Sequence, residues 1–233
     1  MSRLIAIIPA RLGSEGIPNK NFRLLAGQSP VDRALQCASD AGCEPIVLTT
    51  DAPCPTTWLG APYLYINRTG VVQPDLCSNT ASMRDVVLHA LTFIPVLPDD
   101  RVCLLQPTQP LRQPQHVKAA EAILETHPGP CCVVSVTETG TVNKLMVLDD
   151  EDEHAVVPAL SLDAFVERRQ DGRLTYRRDG TVYLWRRHET TWTPPWLRLV
   201  IPAEESCALD TPLDWELAEW RVQKRDAVGR RTG

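Results

Sequence analysis

The chain has 233 residues, of which 43% are hydrophobic and 23% charged, and a formal net charge of −5. This is the profile of a globular α/β unit, or of a core domain carrying a small insertion, rather than of a disordered or fibrous chain. An acidic chain without a basic stripe excludes a nucleic-acid binder, although a few local Arg and Lys residues suffice to hold one anionic ligand.

From the N-terminus, residues 4–9 form an apolar run expected as a buried strand. Pro9 and a charged loop end it too early for a signal-peptide core or a membrane span. No other stretch reaches bilayer length, so the chain is expected to be cytoplasmic, without membrane or nucleic-acid partners. Residues 45–50, 63–67, 101–106 and 131–138 are likewise short and rich in Val, Ile and Leu, as strands buried on both faces tend to be. Between them, residues 30–41, 80–94 and 114–126 carry apolar residues at helical spacing. Thr80 is the expected N-cap of the second helix, and Pro114 suits the first turn of the third. This alternation predicts an open, mostly parallel sheet with helices on both faces.

Past residue 140 the pattern changes. The acidic cluster at 149–153 reads as a solvated turn. An Arg-rich stretch follows, then an alternating strand over 181–185, together an expected excursion from the main sheet: a lid or a dimerisation arm. A strand at 197–201, a helix near 211–224 and a frayed tail complete the chain. The cysteines (Cys37, Cys43, Cys54, Cys77, Cys103, Cys131, Cys132 and Cys207) form no CxxC pair, and several, such as Cys103, Cys131 and Cys132 in apolar runs, read as buried reduced thiols.

The chemistry concentrates in IIPARLGSEGIPNKN, residues 7–21, where a buried strand opens into a loop holding Arg11, Gly13, Ser14, Gly16, Lys20 and Asn21. Ligands of open parallel sheets collect at the carboxyl ends of strands. There glycines admit phosphate close to backbone N–H groups, and Arg and Lys supply charge. The spacing is neither a P-loop nor a dinucleotide fingerprint.

The stretch resembles the acylneuraminate cytidylyltransferase signature, roughly ARxGSKGIPxKN. Further along, SNTAS at 78–82 resembles SDTAS, LLQPTQPLR at 104–112 resembles LLQPTSPLR, YRRDGTVYL at 176–184 resembles the RPNGAIY strand, and LDTPLDWELAE at 209–219 resembles IDTxxDxxxAE. All occur in the family's order. The resemblance implies one Rossmann-like nucleotidyltransferase domain, usually a homodimer, with residues of about 140–190 forming the dimerisation or lid excursion. It implies transfer of CMP from CTP to a nonulosonic, sialic-acid-like or related acidic sugar, with Mg²⁺ or Mn²⁺ as cofactor. On matching positions Ala10, Arg11, Gly13, Ser14, Lys20, Asn21, Arg68, Asn79 and Ser82 hold the nucleotide. Gln106, Lys144, Arg169, Gln170 and Arg177 face the sugar, Asp210 holds metal, and Arg11, Lys20, Gln106 and Asp210 form the catalytic set.

Three positions depart from the pattern. The family lysine of GSKGIP is Glu15, the aspartate of SDTAS is Asn79, and the acidic pair of the closing motif is reduced to Asp210 by Ala208. Asp214, one turn into the last helix, reads as a charge favouring the helix N-terminus. Two readings follow: an enzyme acting on a variant acceptor, or a nucleotide-binding homologue without turnover that serves as a partner or regulatory subunit. Retention of Arg11, Lys20, Gln106, Lys144 and Asp210 favours the first. Trp185, Trp192 and Trp196 are expected as core or dimer contacts, or as walls of an acceptor pocket.

Overall fold

The computed structural model of the chain describes residues 2–14, 16–53, 60–69, 74–141, 146–148, 156–158, 174–187 and 195–229. In chain order the strands and helices are β1 (Leu4–Ala10), α1 (Pro30–Asp40), β2 (Ile46–Thr50), β3 (Leu64–Asn67), α2 (Met83–Leu91), β4 (Arg101–Leu104) and α3 (Pro114–Glu125). Then come β5 (Cys132–Thr141), β6 (Met146–Leu148), β7 (Val156–Pro158), β8 (Leu174–Arg186), β9 (Trp196–Val200) and α4 (Pro212–Gly229).

A 7-stranded sheet runs in the order β3-β2-β1-β4-β8-β5-β9, and β6 and β7 pair separately as a two-stranded ribbon. Pairings within the large sheet are parallel except those of β8, which is antiparallel to both β4 and β5. The expected open, mostly parallel α/β fold is therefore present. The strand predicted over 181–185 is longer than its apolar half: it runs Leu174–Arg186 and fills the place between β4 and β5. Its polar first half, with Arg177 and Arg178 paired to Thr137 and Val136, is mostly exposed. Segments 142–145, 149–155, 159–173 and 188–194 of the expected excursion, including the acidic cluster, lie outside the described residues.

Side-chain alternation along β1 explains the layers. Leu4, Ala6, Ile8 and Ala10 point into a core shared with α1 and α3, while Ile5 and Ile7 point into a second core beneath α2. Every residue of β1 is buried, as both faces are covered. A third cluster joins Ile17, Leu25 and Leu111 to Leu209, Trp215, Ala218 and Val222, clamping α4 beneath the 11–21 loop. Burial raises the thiol of Cys37 to about 11 and that of Cys43 to about 12, so both remain protonated near neutrality, as expected of core thiols.

Helix starts follow local chemistry. Ser29 caps α1 by accepting the Asp32 amide at 3.1 Å, with Pro30 in the first turn. The N-cap of α2 is Ser82 rather than Thr80: its hydroxyl accepts the Asp85 amide at 3.2 Å, while the Thr80 hydroxyl pairs with Ser78. α4 continues past Lys224 to Gly229, beyond the predicted end. No helix among the described residues is long and apolar enough to cross a membrane.

Candidate active site

In the order β3-β2-β1-β4, β1 is followed by a strand to one side, and β4 lies on its other side. The crevice at their carboxyl ends is the topological switch point where such sheets hold ligands. Arg11 follows the end of β1 and Gln106 lies just past the end of β4, so both stand over that crevice. Here a cleft of about 250 Å³ is lined by Arg11, Ser14, Lys20, Asn21, Arg68, Asn79 and Gln106, all expected from the sequence.

The loop after β1 is held from several directions. Asn21 donates to the Arg11 carbonyl at 2.9 Å, and the Leu12 amide donates to Asp51 at 2.6 Å. Lys20 Nζ donates to the Leu209 carbonyl at 2.6 Å and lies 3.5 Å from Asp210. A Cβ at Gly16 would collide with the Asp210 carbonyl, so glycine is needed for the loop to pass residue 210. Arg68 is 3% exposed and donates to the Ala10 carbonyl at 3.1 Å. Burial pulls its guanidinium below its ordinary pKa; Asp51 and Cys77 oppose this, and the charge of Arg11 adds to it.

Ser14 Oγ, Asn21 Oδ1 and Arg68 Nε are buried and have no hydrogen-bond partner among the described residues. Buried polar atoms are normally satisfied, and leaving one unmet costs about 1–3 kcal/mol. All three belong to residues lining the same cleft, which marks it as built for a polar ligand. Gly13 is exposed and Ser82 is engaged as a helix cap; neither lines the cleft.

A second cavity of about 420 Å³, lined by Met83, Leu104, Gln106, Arg177, Arg178 and Tyr183, adjoins the first and shares Gln106 and Met83 with it. Trp185 is buried in the core beneath α2, and Trp196 is half-exposed with Arg178 stacked on it at 5.1 Å. Glu15, Lys144, Arg169, Gln170 and Trp192 lie outside the described residues.

Two residues that sequence reasoning did not single out set the position of Gln106. Arg112, at the end of LLQPTQPLR, is buried; it donates to the Gln106 carbonyl and, at 2.6 Å, to the Thr181 carbonyl of β8. Gly180 has φ +78°, and a Cβ there would stand 2.6 Å from Gln106 Oε1. Asp179 braces this turn from within, accepting from the hydroxyls of Ser135, Thr137 and Thr181 and from the Thr181 amide. The only sequence signal was that both stretches recur as motifs; their contact is a product of the fold.

Asp210 presents an exposed carboxylate 3.5 Å from Lys20 Nζ but does not itself line the cleft. Asp214 instead closes the start of α4, accepting from the Thr211 amide and hydroxyl at 2.7 Å each. Burial raises its carboxyl, but these bonds, the Asp210 amide and the charge of Arg177 hold it below the usual range.

The Cytidylyltransferase family model matches residues 5–193. The chain is 28% identical over 229 residues to CMP-N,N'-diacetyllegionaminic acid synthase of Legionella pneumophila, covering 93% of this chain and 95% of the relative. It is 26% identical over 232 residues to an N-acylneuraminate cytidylyltransferase of Escherichia coli, covering 97% of this chain but only 53% of that relative. In fold it resembles the structure of CMP:2-keto-3-deoxy-manno-octonic acid synthetase complexed with CTP, with a TM-score of 0.68, 15% identity, and 96% and 100% of the two chains covered. With a polar cleft at the switch point and a family match over most of its length, the chain belongs to the cytidylyltransferase family.

Proposed function

We propose that this chain transfers CMP from CTP to a nonulosonic or related acidic sugar, releasing pyrophosphate. The observation that carries the reading is the pair of adjoining cavities meeting at Gln106: one lined by unsatisfied buried polar groups and cations, the other by Arg177 and Arg178. Relatives named as a CMP-N,N'-diacetyllegionaminic acid synthase and an N-acylneuraminate cytidylyltransferase support it, and they disfavour a subunit without turnover.

In this reading Arg11, Ser14, Lys20, Asn21 and Arg68 hold the nucleotide and its phosphates. Gln106 stands between the two ligands, and Arg177 takes the sugar carboxylate, for which a guanidinium fork is suited. A sugar hydroxyl oxygen attacks the α-phosphorus and gives its proton to solvent, the bond to the β-phosphate oxygen breaks, and pyrophosphate leaves with that electron pair. Positioning and charge neutralisation carry most of such a reaction. Lys144, Arg169 and Gln170 belong to the sugar side by family resemblance.

The donor set fits a magnesium ion shared with phosphate oxygens better than a protein cage. Asp210 offers one exposed carboxylate, Asp214 is engaged in its cap, and no group of three His, Cys, Asp or Glu converges among the described residues. Once bound, Mg²⁺ or Mn²⁺ would neutralise charge on the phosphates and the leaving pyrophosphate. Homodimeric assembly and a cytoplasmic location belong to the same proposal; the first rests on the family resemblance, the second on the shortness of the apolar runs.

Pyrophosphate release, measured with each of the four nucleoside triphosphates against a panel of nonulosonic acids, tests the reading. Release with CTP and one acid is expected. Silence across the panel from folded protein would overturn it.

A further inference from the structure

The turn that carries Gln106 has a second cavity behind it. While Gln106, Pro107 and Thr108 line the nucleotide cleft, Pro110, Arg112, Gln113 and Pro114 line a separate cleft of about 220 Å³ against α1 and α4. Three arginines from different elements contribute to its lining: Arg33 of α1, Arg112 of the turn and Arg225 of α4.

Their existing partners are mostly neutral. Arg33 donates to the carbonyls of Leu25 and Ala26, Arg112 to those of Gln106 and Thr181, and Arg225 to that of Leu111. Among the described residues neither Arg33 nor Arg112 has a carboxylate at ion-pair distance; Arg225 alone has one, Asp226 at 3.6 Å. Asp40, the acidic residue on the rim, accepts the Gln36 amide at 2.8 Å. Arg33 Nε is buried without a hydrogen-bond partner among the described residues. Burial lowers the guanidinium pKa of Arg33, with Asp226 opposing and the like charge of Arg225 adding, and burial lowers that of Arg112 as well. Of the three cations only Arg225 has a carboxylate at ion-pair distance among the described residues, so the set carries an excess of positive charge and a spare donor at Arg33 Nε.

We propose that this cleft is an anion site, separate from the nucleotide cleft, for a phosphate-class oxyanion: inorganic phosphate or the pyrophosphate released by the reaction. A tetrahedral oxyanion offers several acceptor oxygens to forked donors approaching from different elements. Arg112 contributes to both sides of the turn, so an anion here compensates the buried charge that holds the Gln106 carbonyl in place.

The test is calorimetric titration of the full-length chain, without divalent metal and at fixed ionic strength, with inorganic phosphate and separately with pyrophosphate. Wild type, Arg33→Gln, Arg225→Gln and Lys20→Ala are compared. Wild type and Lys20→Ala should bind phosphate alike, while each of the other two weakens it about tenfold, as for loss of one charge-assisted contact, with CTP affinity unchanged. The two arginines sit on different helices, so a folding defect in one variant leaves the other as a probe. Tighter binding of pyrophosphate than phosphate, in the same arginine-dependent way, would name the product as the ligand. Absence of phosphate and pyrophosphate binding in wild type would overturn the proposal. So would loss of anion binding in Lys20→Ala alone, which would place the anion in the nucleotide cleft.

Discussion

The amine of Lys20 reaches a carbonyl 189 positions along the chain, that of Leu209, at 2.6 Å, and stands 3.5 Å from the carboxylate of Asp210. The 11–21 loop and the closing motif are thus joined directly. Lys20 is mostly sheltered (17% exposed) and Asp210 open (72%), so the lysine is the better-fixed member of the pair.

Lys20→Ala should weaken CTP binding roughly tenfold to a hundredfold, the equivalent of one charge-assisted hydrogen bond. Thermal stabilisation of the variant by CTP measures this directly. An unchanged CTP response would remove Lys20 from the nucleotide site.

Ala208→Asp restores an acidic residue two positions before Asp210, where this chain holds one exposed carboxylate. The magnesium concentration giving half-maximal pyrophosphate release should fall. A flat or worse magnesium dependence would mean that the metal is held elsewhere.

Gly180→Ala places a methyl 2.6 Å from Gln106 Oε1 on a backbone with φ +78°. A cost of about 1–3 kcal/mol in urea unfolding is expected from the backbone alone. The displaced amide should also raise KM for the sugar more than KM for CTP. Equal changes in both would separate Gln106 from the sugar.

Asp179→Ala strands the hydroxyls of Ser135, Thr137 and Thr181 in the interior. Each buried donor left unmet costs about 1–3 kcal/mol, so a several-degree fall in Tm is expected in calorimetry. A loss below about 0.5 kcal/mol, the range of ordinary surface substitutions, would show the network to be dispensable.

The pair Arg3–Asp100 predicts the acid limb of stability. Hydrogen bonding from the Arg3 side chain, opposed by burial, holds the Asp100 carboxyl at about 2, below its usual value near 4. Because the folded value is the lower one, the contribution is complete above about pH 4 and is lost as pH falls towards 2. Urea unfolding across that window should show Asp100→Asn less stable than wild type at pH 6, with the difference shrinking on acidification. A gap that does not change with pH would argue against the pairing.

Much of this was legible in the chain. Strands buried on both faces announce themselves by continuous Val, Ile and Leu, and the 7–21 loop by glycines and cations following such a strand. β8 was half hidden because its first half faces solvent and carries Arg177 and Arg178, which defeats a reading based on apolar runs. The N-cap of α2 was displaced by two residues because Ser82 and Thr80 offer the same hydroxyl chemistry, and only backbone geometry selects between them. Arg112 could not be placed in advance: its partners, Gln106 and Thr181, meet only when β4 and β8 become neighbours.

The place of β8 also bears on how the protein is made. During synthesis β1 to β5 leave the ribosome before Leu174, yet within the large sheet β5 meets none of the earlier strands directly and is joined to β4 only through β8. Until β8 arrives, β4 presents an unpaired edge on a four-stranded fragment, a surface open to wrong pairing. A nascent chain halted ahead of residue 174 would therefore hold a four-stranded fragment and, for the large sheet, an unpaired β5, and β8 is the late strand that joins them.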